Sequence, residues 1–390
     1  MDVALLRGSP LGELVPISGT DGRTGRDYDH FAFLPHPLPR EVELPAATWT
    51  AVARAEADLA RLDQAARQVP EPALLRQPAL RREAQSTSAL EGTFAPIETV
   101  LESDLERRGQ LRMDVREILN YVAAAEEGFS WVAERPITLG LIRTLQRTLV
   151  EGTDSEHDDA GGLRSRQVFI GPRHAPLETA RFVPPPPGDR LSAGMDAWIE
   201  WVDDPPRDMP AVLQAALAHY QFETLHPFSD GNGRIGRLLI VLQLIRRSVL
   251  THPILVVSPW FEVRRDQYQD ALLALSRTGR WSDWVEFFAT GIAASARSTH
   301  ERVDTLLTWR DDAIARVRAA GVSGLAERIA ANLIGAPILT PGQAARANGV
   351  TAQGARNALR RLAELGIVTE SNRNGRLVFH SDEVVDLIRR

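Results

Sequence analysis

The sequence predicts a mostly α-helical protein with two small β components, one mid-chain and one near the C-terminus. Long stretches repeat apolar residues every three or four positions, the period of an amphipathic helix. Strand-like runs are confined to two pairs, Arg166–Gly171 with Ala180–Pro184, and Ile367–Ser371 with Leu377–His380. Two apolar helical stretches, 213–225 and 237–245, flank a loop that holds His226, Asp230, Gly231 and Gly233. Helices therefore build the body, and a polar loop between two of them is the prime site.

Composition narrows the chemistry. The 390 residues leave room for two or three domains and a substantial core. With 44% hydrophobic and 25% charged residues, the chain reads as an ordinary globular protein rather than a disordered one. A net charge of −6 gives no global reason to expect nucleic acid. Cysteine is absent, which excludes disulfides, thiol catalysis and Cys-based metal sites. Lysine is absent too, so a Schiff base is excluded and every strongly basic side chain is Arg. The run Met1–Arg7 is too short an apolar stretch for a signal peptide, and no segment has the roughly 18 apolar residues of a membrane span. A cytoplasmic location without membrane contact is expected.

The elements follow in order. Residues 1–27 are mixed, with a loop-like stretch at Ser18–Arg26. Tyr28 to Pro39 alternates aromatic residues with proline and predicts an extended surface strap. Ala46 to Gln68 is helical until Pro70 and Pro72 break it. Gln85 to Thr93 reads as a helix end, with Leu90 buried, Glu91 solvated and Gly92 as the C-terminal cap. Further helices carry the apolar faces Val115, Ile118, Leu119, Val122 and Leu139, Ile142, Leu145, Leu149. Glu151–Gly162 is an acidic loop; its His157, Asp158 and Asp159 lack ligand spacing and are expected to be solvated. The paired runs at 166–171 and 180–184 predict a hairpin. Asp196–Val202 is an aromatic helix. His219 lies two helical turns before His226 without a third ligand, so packing or an orienting hydrogen bond is its expected role.

The stretch from His226 to Arg237 packs an imidazole, a carboxylate, an amide, three glycines and two guanidinium groups into twelve positions. A helix beginning there would present unpaired N–H groups and the positive end of its dipole. That is an anion site. Gly231 and Gly233 let the backbone close on a phosphate, and Arg234 and Arg237 share one helix face. Asp230 offers a hard oxygen suited to Mg²⁺, and His226 titrates near neutrality. Together they suit phosphoryl or nucleotidyl transfer.

His-Pro-Phe-x-Asp-Gly-Asn-Gly-Arg-x-x-Arg also resembles the signature of Fic-domain proteins, with every fixed position present. The resemblance extends over about residues 28–295. It implies a helical Fic core with a hairpin flap, and transfer of AMP from ATP to a Ser, Thr or Tyr hydroxyl of a target protein, and of itself. His226 would be the base and Asp230 the Mg²⁺ ligand. Gly231, Asn232, Gly233, Arg234, Ile235, Gly236 and Arg237 would receive the phosphates. Gln269 would border the adenine, although related proteins often carry a Tyr-Tyr pair where this chain has Tyr268-Gln269. A target segment would pair with the flap at about 166–184. Thr87-x-x-x-Glu91-Gly92 is similar to the family's inhibitory motif, whose Glu pairs with the second signature arginine, here Arg237. A homodimer is likewise implied.

The chain then leaves the resemblance. A charged helix over 296–322 predicts a connector with a boundary at Gly321–Ser323. Thr340-Pro341 starts a helix and Asn348-Gly349 ends it. Thr351 caps a second helix striped with Ala355, Leu359, Leu362 and Leu365, which Gly366 stops. Two strands around Asn372–Gly375 complete a winged helix-turn-helix. Arg356, Arg360, Arg361, Arg373 and Arg376 are candidate DNA contacts. Residues 323–390 carry nine Arg against six acidic residues, too modest an excess to decide between DNA and protein docking. The expected parts are thus an N-terminal helical region (1–110), the catalytic core (111–295), the connector and the winged module (323–390). Rivals to AMP transfer are AMP removal by the same site, and a DNA-binding regulator whose core senses nucleotide. A kinase branch resembles Gly-Asn-Lys, which Gly233 disfavours.

Overall fold

The computed structural model describes the chain except for residues 22–24, 70, 106–110, 172–176, 323, 374 and 390. Parts of several expected features fall outside it: the middle of the 18–26 loop, Pro70, the tip of the 166–184 flap, Ser323 and Asn374.

Asp2 caps α1 (Val3–Leu6) by accepting from the Ala4 N–H. The next segment corrects the expectation of a loop and a strap. It forms an antiparallel hairpin of β1 (Gly12–Thr20) and β2 (Asp27–Pro35), with Gly12 opposite Pro35 and Thr20 opposite Asp27. Val15, Ile17, Ala32 and Phe33 are buried on it. Pro16 and Gly19 interrupt the alternation in the sequence. Proline is tolerated in a two-stranded ribbon, where each strand is an edge.

Helices α2 (Ala46–Arg67) and α3 (Ala73–Leu90) follow. Glu91 caps α3, Gly92 turns at φ 96°, and the bonds Thr93 N to Ser88 O and Gly92 N to Ala89 O close a Schellman motif. Then come α4 (Ile97–Glu102), a 3₁₀ turn (Ser103–Leu105), α5 (Met113–Val132) and α6 (Leu139–Val150). The mid-chain β pair is smaller than expected. Among the described residues one bridge, Ile170 with Phe182, joins the two runs.

Helices α7 (Asp189–Asp203), α8 (Ala211–Leu225), α9 (Asn232–Arg246), α10 (Ser258–Glu262) and α11 (Arg265–Thr278) follow. Then α12 (Trp281–Ala319) runs unbroken for 39 residues, through the position where the connector was expected to begin. Its one internal glycine, Gly291, lies against Trp260, where a Cβ would meet the ring at 2.7 Å. The chain ends with α13 (Leu325–Asn332), β3 (Ile338–Leu339), α14 (Pro341–Asn348), α15 (Ala352–Glu364), β4 (Thr369–Arg373), β5 (Arg376–His380) and α16 (Asp382–Arg389). Thr340 and Gln343 form a reciprocal capping box at α14, Thr351 caps α15, and the strand order is β3-β5-β4.

These elements form two compact units, both discontinuous in sequence: residues 1–60, 123–250 and 257–294, and residues 61–122, 251–256 and 295–390. In the first, α8 and α9 are buried on nearly every side, polar residues such as His219, Arg234 and Arg237 included. Its other cluster joins the β1–β2 hairpin to Phe182 and Val183, and the Phe33 N–H donates to the Val183 carbonyl. In the second, Leu333, Leu359, Leu362, Val368 and Phe379 form a core with Ala313 and Val317 of α12. Among the described residues no helix is long and apolar enough to cross a membrane.

Candidate active site

The first unit assembles a site where α8 ends and α9 begins. His226 caps α8 in the left-handed conformation, φ 49° and ψ 60°, a region that favours glycine. Its Nδ1 lies 3.3 Å from the Glu223 carbonyl, which can only accept. The proton is thereby placed on Nδ1 and the lone pair on Nε2. Phe228 is fully buried and anchors the loop. Asn232 ties the loop to itself: its Oδ1 accepts from the Phe228 N–H and its Nδ2 donates to the Phe228 carbonyl, both at 2.8 Å. Its side chain is thus spent on loop shape, and what it can offer an anion is its backbone N–H.

Gly231 caps α9 at φ 85°, where a Cβ would also strike Leu149 at 2.8 Å. The first turn of α9, with Gly233, Ile235 and Gly236, is buried. Arg234 donates to Asp230 Oδ1 at 2.9 Å, and Arg234 and Arg237 are almost wholly buried. Asp230 keeps 32% of its side chain exposed, so it is open to a ligand on one side. Among the described residues no group of three or more His, Asp or Glu is placed to hold a metal. One carboxylate fits Mg²⁺, which keeps waters and takes substrate phosphate oxygens, better than it fits a metal caged by protein.

Several residues of the site carry no signal in the sequence. Gln146 Nε2 donates to the Asp230 carbonyl at 3.2 Å while its Oε1 accepts from the Gly161 N–H at 2.6 Å. Asp159, expected to be solvated, accepts from Ser229 Oγ at 2.7 Å and from the Ser165 N–H. Arg164 is buried beneath His226, and burial pulls its guanidinium down to about 10. Among the 45 basic residues, all arginine, nothing in the sequence singles Arg164 out.

His219 proves to be a doubly bonded core residue. Nδ1 faces the Gly236 carbonyl at 3.2 Å and Nε2 the Tyr268 hydroxyl at 2.8 Å. The carbonyl accepts only, so Nδ1 donates to it and Nε2 accepts from the hydroxyl. Burial first, then the Arg237 charge, hold the ring neutral, with its pKa down at about 3. Tyr268 is thereby turned into the core, and Gln269 is half-buried beside it. A Cβ at Gly236 would meet Glu223 Oε1 at 2.1 Å, so a side chain there would displace that carboxylate.

A cleft of about 870 Å³ opens beside Ser229, lined by Asp21, Tyr28, Glu156, Asp158, Arg166 and Phe169 among others. Thr87, Glu91 and Gly92 belong to the second unit: Thr87 is buried in α3, and Glu91 is exposed at its end. Of the candidate DNA contacts, Arg373 pairs with Glu102 and Arg376 donates to the Leu105 carbonyl. Arg360 and Arg361 pair with Glu370 and Glu364.

Residues 49–130 match the sequence model of the Fic/DOC family N-terminal region, and residues 136–244 match that of the Fic/DOC family itself. The chain carries a Fic/DOC domain. The His226–Arg237 loop, Arg164 and α8–α9 up to Leu244 lie inside that match. A protein adenylyltransferase Fic of Drosophila grimshawi is 32% identical over 199 residues, 50% of this chain and 37% of that protein. Its namesake in Nematostella vectensis is 29% identical over 189 residues, 47% of this chain and 40% of that protein. The chain therefore spans less than half the length of these relatives. Among solved structures, a Fic family protein from Desulfovibrio desulfuricans G20 superposes with a TM-score of 0.57 at 22% identity, covering 87% of this chain and 97% of that one. Fic-1 (aa134–508) from C. elegans gives 0.51 at 20% identity, covering 66% and 74%. At such identities the likeness is one of fold.

Proposed function

We propose that the protein is an adenylyltransferase that moves AMP from ATP to a hydroxyl of a protein target. The observation that carries this reading is the pairing of His226, proton on Nδ1, with the N-terminus of α9, where Gly231 caps the helix and Arg234 and Arg237 follow. The target hydroxyl oxygen attacks the α-phosphorus and the bond to the β-phosphate's bridging oxygen breaks. The hydroxyl proton passes to Nε2 of His226, and pyrophosphate leaves. The first-turn N–H groups and the two arginines bear the negative charge as it shifts. Asp230 would hold Mg²⁺, which supplies charge neutralisation on the phosphates when bound. Gln269 is assigned to the nucleotide's edge. The target segment would lie along residues 166–184 and the cleft beside Ser229.

Glu91 is assigned a restraining role, supported by Thr87-x-x-x-Glu91-Gly92 at a well-formed helix end. The helix–turn–helix–hairpin order of α14, α15, β4 and β5 supports a winged helix-turn-helix, with DNA or a protein as its partner. The test is Glu91→Gly protein with Mg²⁺ and α-labelled ATP, in parallel with labelled CTP, GTP and UTP. Label on protein is expected from ATP, strongly reduced with Glu91 intact and lost in Glu91→Gly/His226→Ala. No label from any nucleotide, on itself or in an extract, would overturn the reading.

A further inference from the structure

Arg164 ties several segments of the site together. Its Nε donates to the His226 carbonyl at 2.8 Å, and Nη2 donates to Leu225 at 3.4 Å and Pro185 at 2.5 Å. Nη1 donates to Arg166 at 3.3 Å, and the Arg164 backbone N–H donates to Pro227 at 2.9 Å. Three consecutive carbonyls, 225 to 227, are thus pinned by one residue. The middle one belongs to His226, whose left-handed backbone is strained for a side chain with a Cβ. The other two carbonyls, Arg166 and Pro185, lie at the two ends of the segment whose bridge joins Ile170 to Phe182.

A buried guanidinium is an unusual choice for tying loops, because desolvating it costs free energy that neutral donors would not. What it provides is donors in a rigid planar fork, enough to serve carbonyls from two segments at once. Asp159 stands close enough to favour the charge, while holding Ser229 Oγ and the Ser165 N–H. The same carboxylate therefore joins the loop on the other side of Phe228.

We propose that Arg164 is a positioning residue that fixes His226 in its left-handed conformation and ties to it the Arg166 and Pro185 ends of the target-holding run, so that base and those two ends are placed together. This rests on the transfer reading above. It predicts a specific division of kinetic effects: ATP is held by the α9 N-terminus, which Arg164 does not touch, whereas base placement and the 166–185 segment depend on it.

The test uses Arg164→Lys, which keeps the charge but not the fork, and Arg164→Gln, a neutral donor, in case the lysine variant does not fold. In the Glu91→Gly protein, with self-modification and a protein target as acceptors, kcat is expected to fall at least tenfold. The acceptor KM should rise severalfold and the ATP KM stay within about twofold. Exogenous guanidinium at millimolar concentration should restore part of the activity to Arg164→Gly. A merely structural residue would lower the active fraction and leave both KM values alone, and that result overturns the proposal. Amide hydrogen exchange gives an arm independent of activity. In Arg164→Lys, exchange should rise together in 166–171 and 225–231 but not in 238–245. Unchanged exchange in those two segments overturns the proposal even if transfer is confirmed. Parallel exchange changes with no transfer by the parent would sink the transfer reading alone.

Discussion

Arginine does two different jobs around the α8–α9 loop and along the C-terminal segment. Around the α8–α9 loop, Arg164, Arg234 and Arg237 are at most 2% exposed; Arg164 is held by backbone carbonyls and Arg234 by the Asp230 carboxylate. In the C-terminal segment, Arg360 and Arg361 leave more than half of their side chains in water and pair with neighbouring glutamates. The sequence uses one residue type for both because it has no lysine. The difference is dielectric: a buried fork serves several acceptors and becomes costly to disturb, while exposed pairs are screened and worth little. Charge alone therefore does not mark a site; burial with satisfied geometry does.

The largest expected effect lies at the catalytic end of the α8–α9 loop. His226→Ala in the Glu91→Gly protein is expected to reduce AMP transfer by about 10²–10⁴-fold while leaving unfolding within about 1 kcal/mol of the parent. Radiolabel transfer and urea denaturation on the same samples check both halves. A loss of transfer below tenfold would remove His226 from the role of base.

Next in size is the loop itself. Asn232→Ala removes both bonds to Phe228 and leaves that buried backbone N–H and carbonyl unpaired, for an expected loss of about 2–4 kcal/mol in denaturation. An unchanged denaturation midpoint would mean that the loop shape is held elsewhere, by Arg164 and Gln146.

These two cases show what the sequence made legible. His226, Asp230 and the arginines were readable because their chemistry is local, a run of reactive types at loop and first-turn spacing. The capped ends of α14 and α15 were readable for the same reason. Arg164, Asp159 and Gln146 act across 62 to 84 positions of chain, and no pattern in their neighbours announces a partner that distant. The β1–β2 hairpin escaped because Pro16 and Gly19 hide its period. The continuity of α12 escaped because Gly291 looks like a break until it is seen lying against Trp260.

His219 makes the stability of the buried site depend on pH. Its pKa in the fold, about 3, lies far below the unfolded value near 6.5, so the unfolded chain binds the proton first as pH falls. Its stabilising contribution is fully present above pH 6.5 and is lost on going down towards pH 3, at about 1.4 kcal/mol per pH unit at most. Denaturation between pH 7.5 and 4.5 should show stability falling with acidity, and His219→Gln should flatten that slope. Equal slopes in the two proteins would show that other groups dominate the acid response.

The smallest effect tests the exposed side. Arg361 and Glu364 leave 63% and 61% of their side chains in solvent, one turn apart on α15. Water screens the pair and both chains lose rotamer freedom in forming it, so Arg361→Ala should change stability by no more than about 0.5 kcal/mol. If this face instead serves a polyanion, the same substitution should reduce the dependence of duplex binding on salt by roughly one counterion while stability stays put. Stability and salt dependence are thus separable readouts for one residue. A stability loss above about 1.5 kcal/mol would mean that exposed arginines also hold this fold, and the distinction between the two environments would fail where it predicts the least effect.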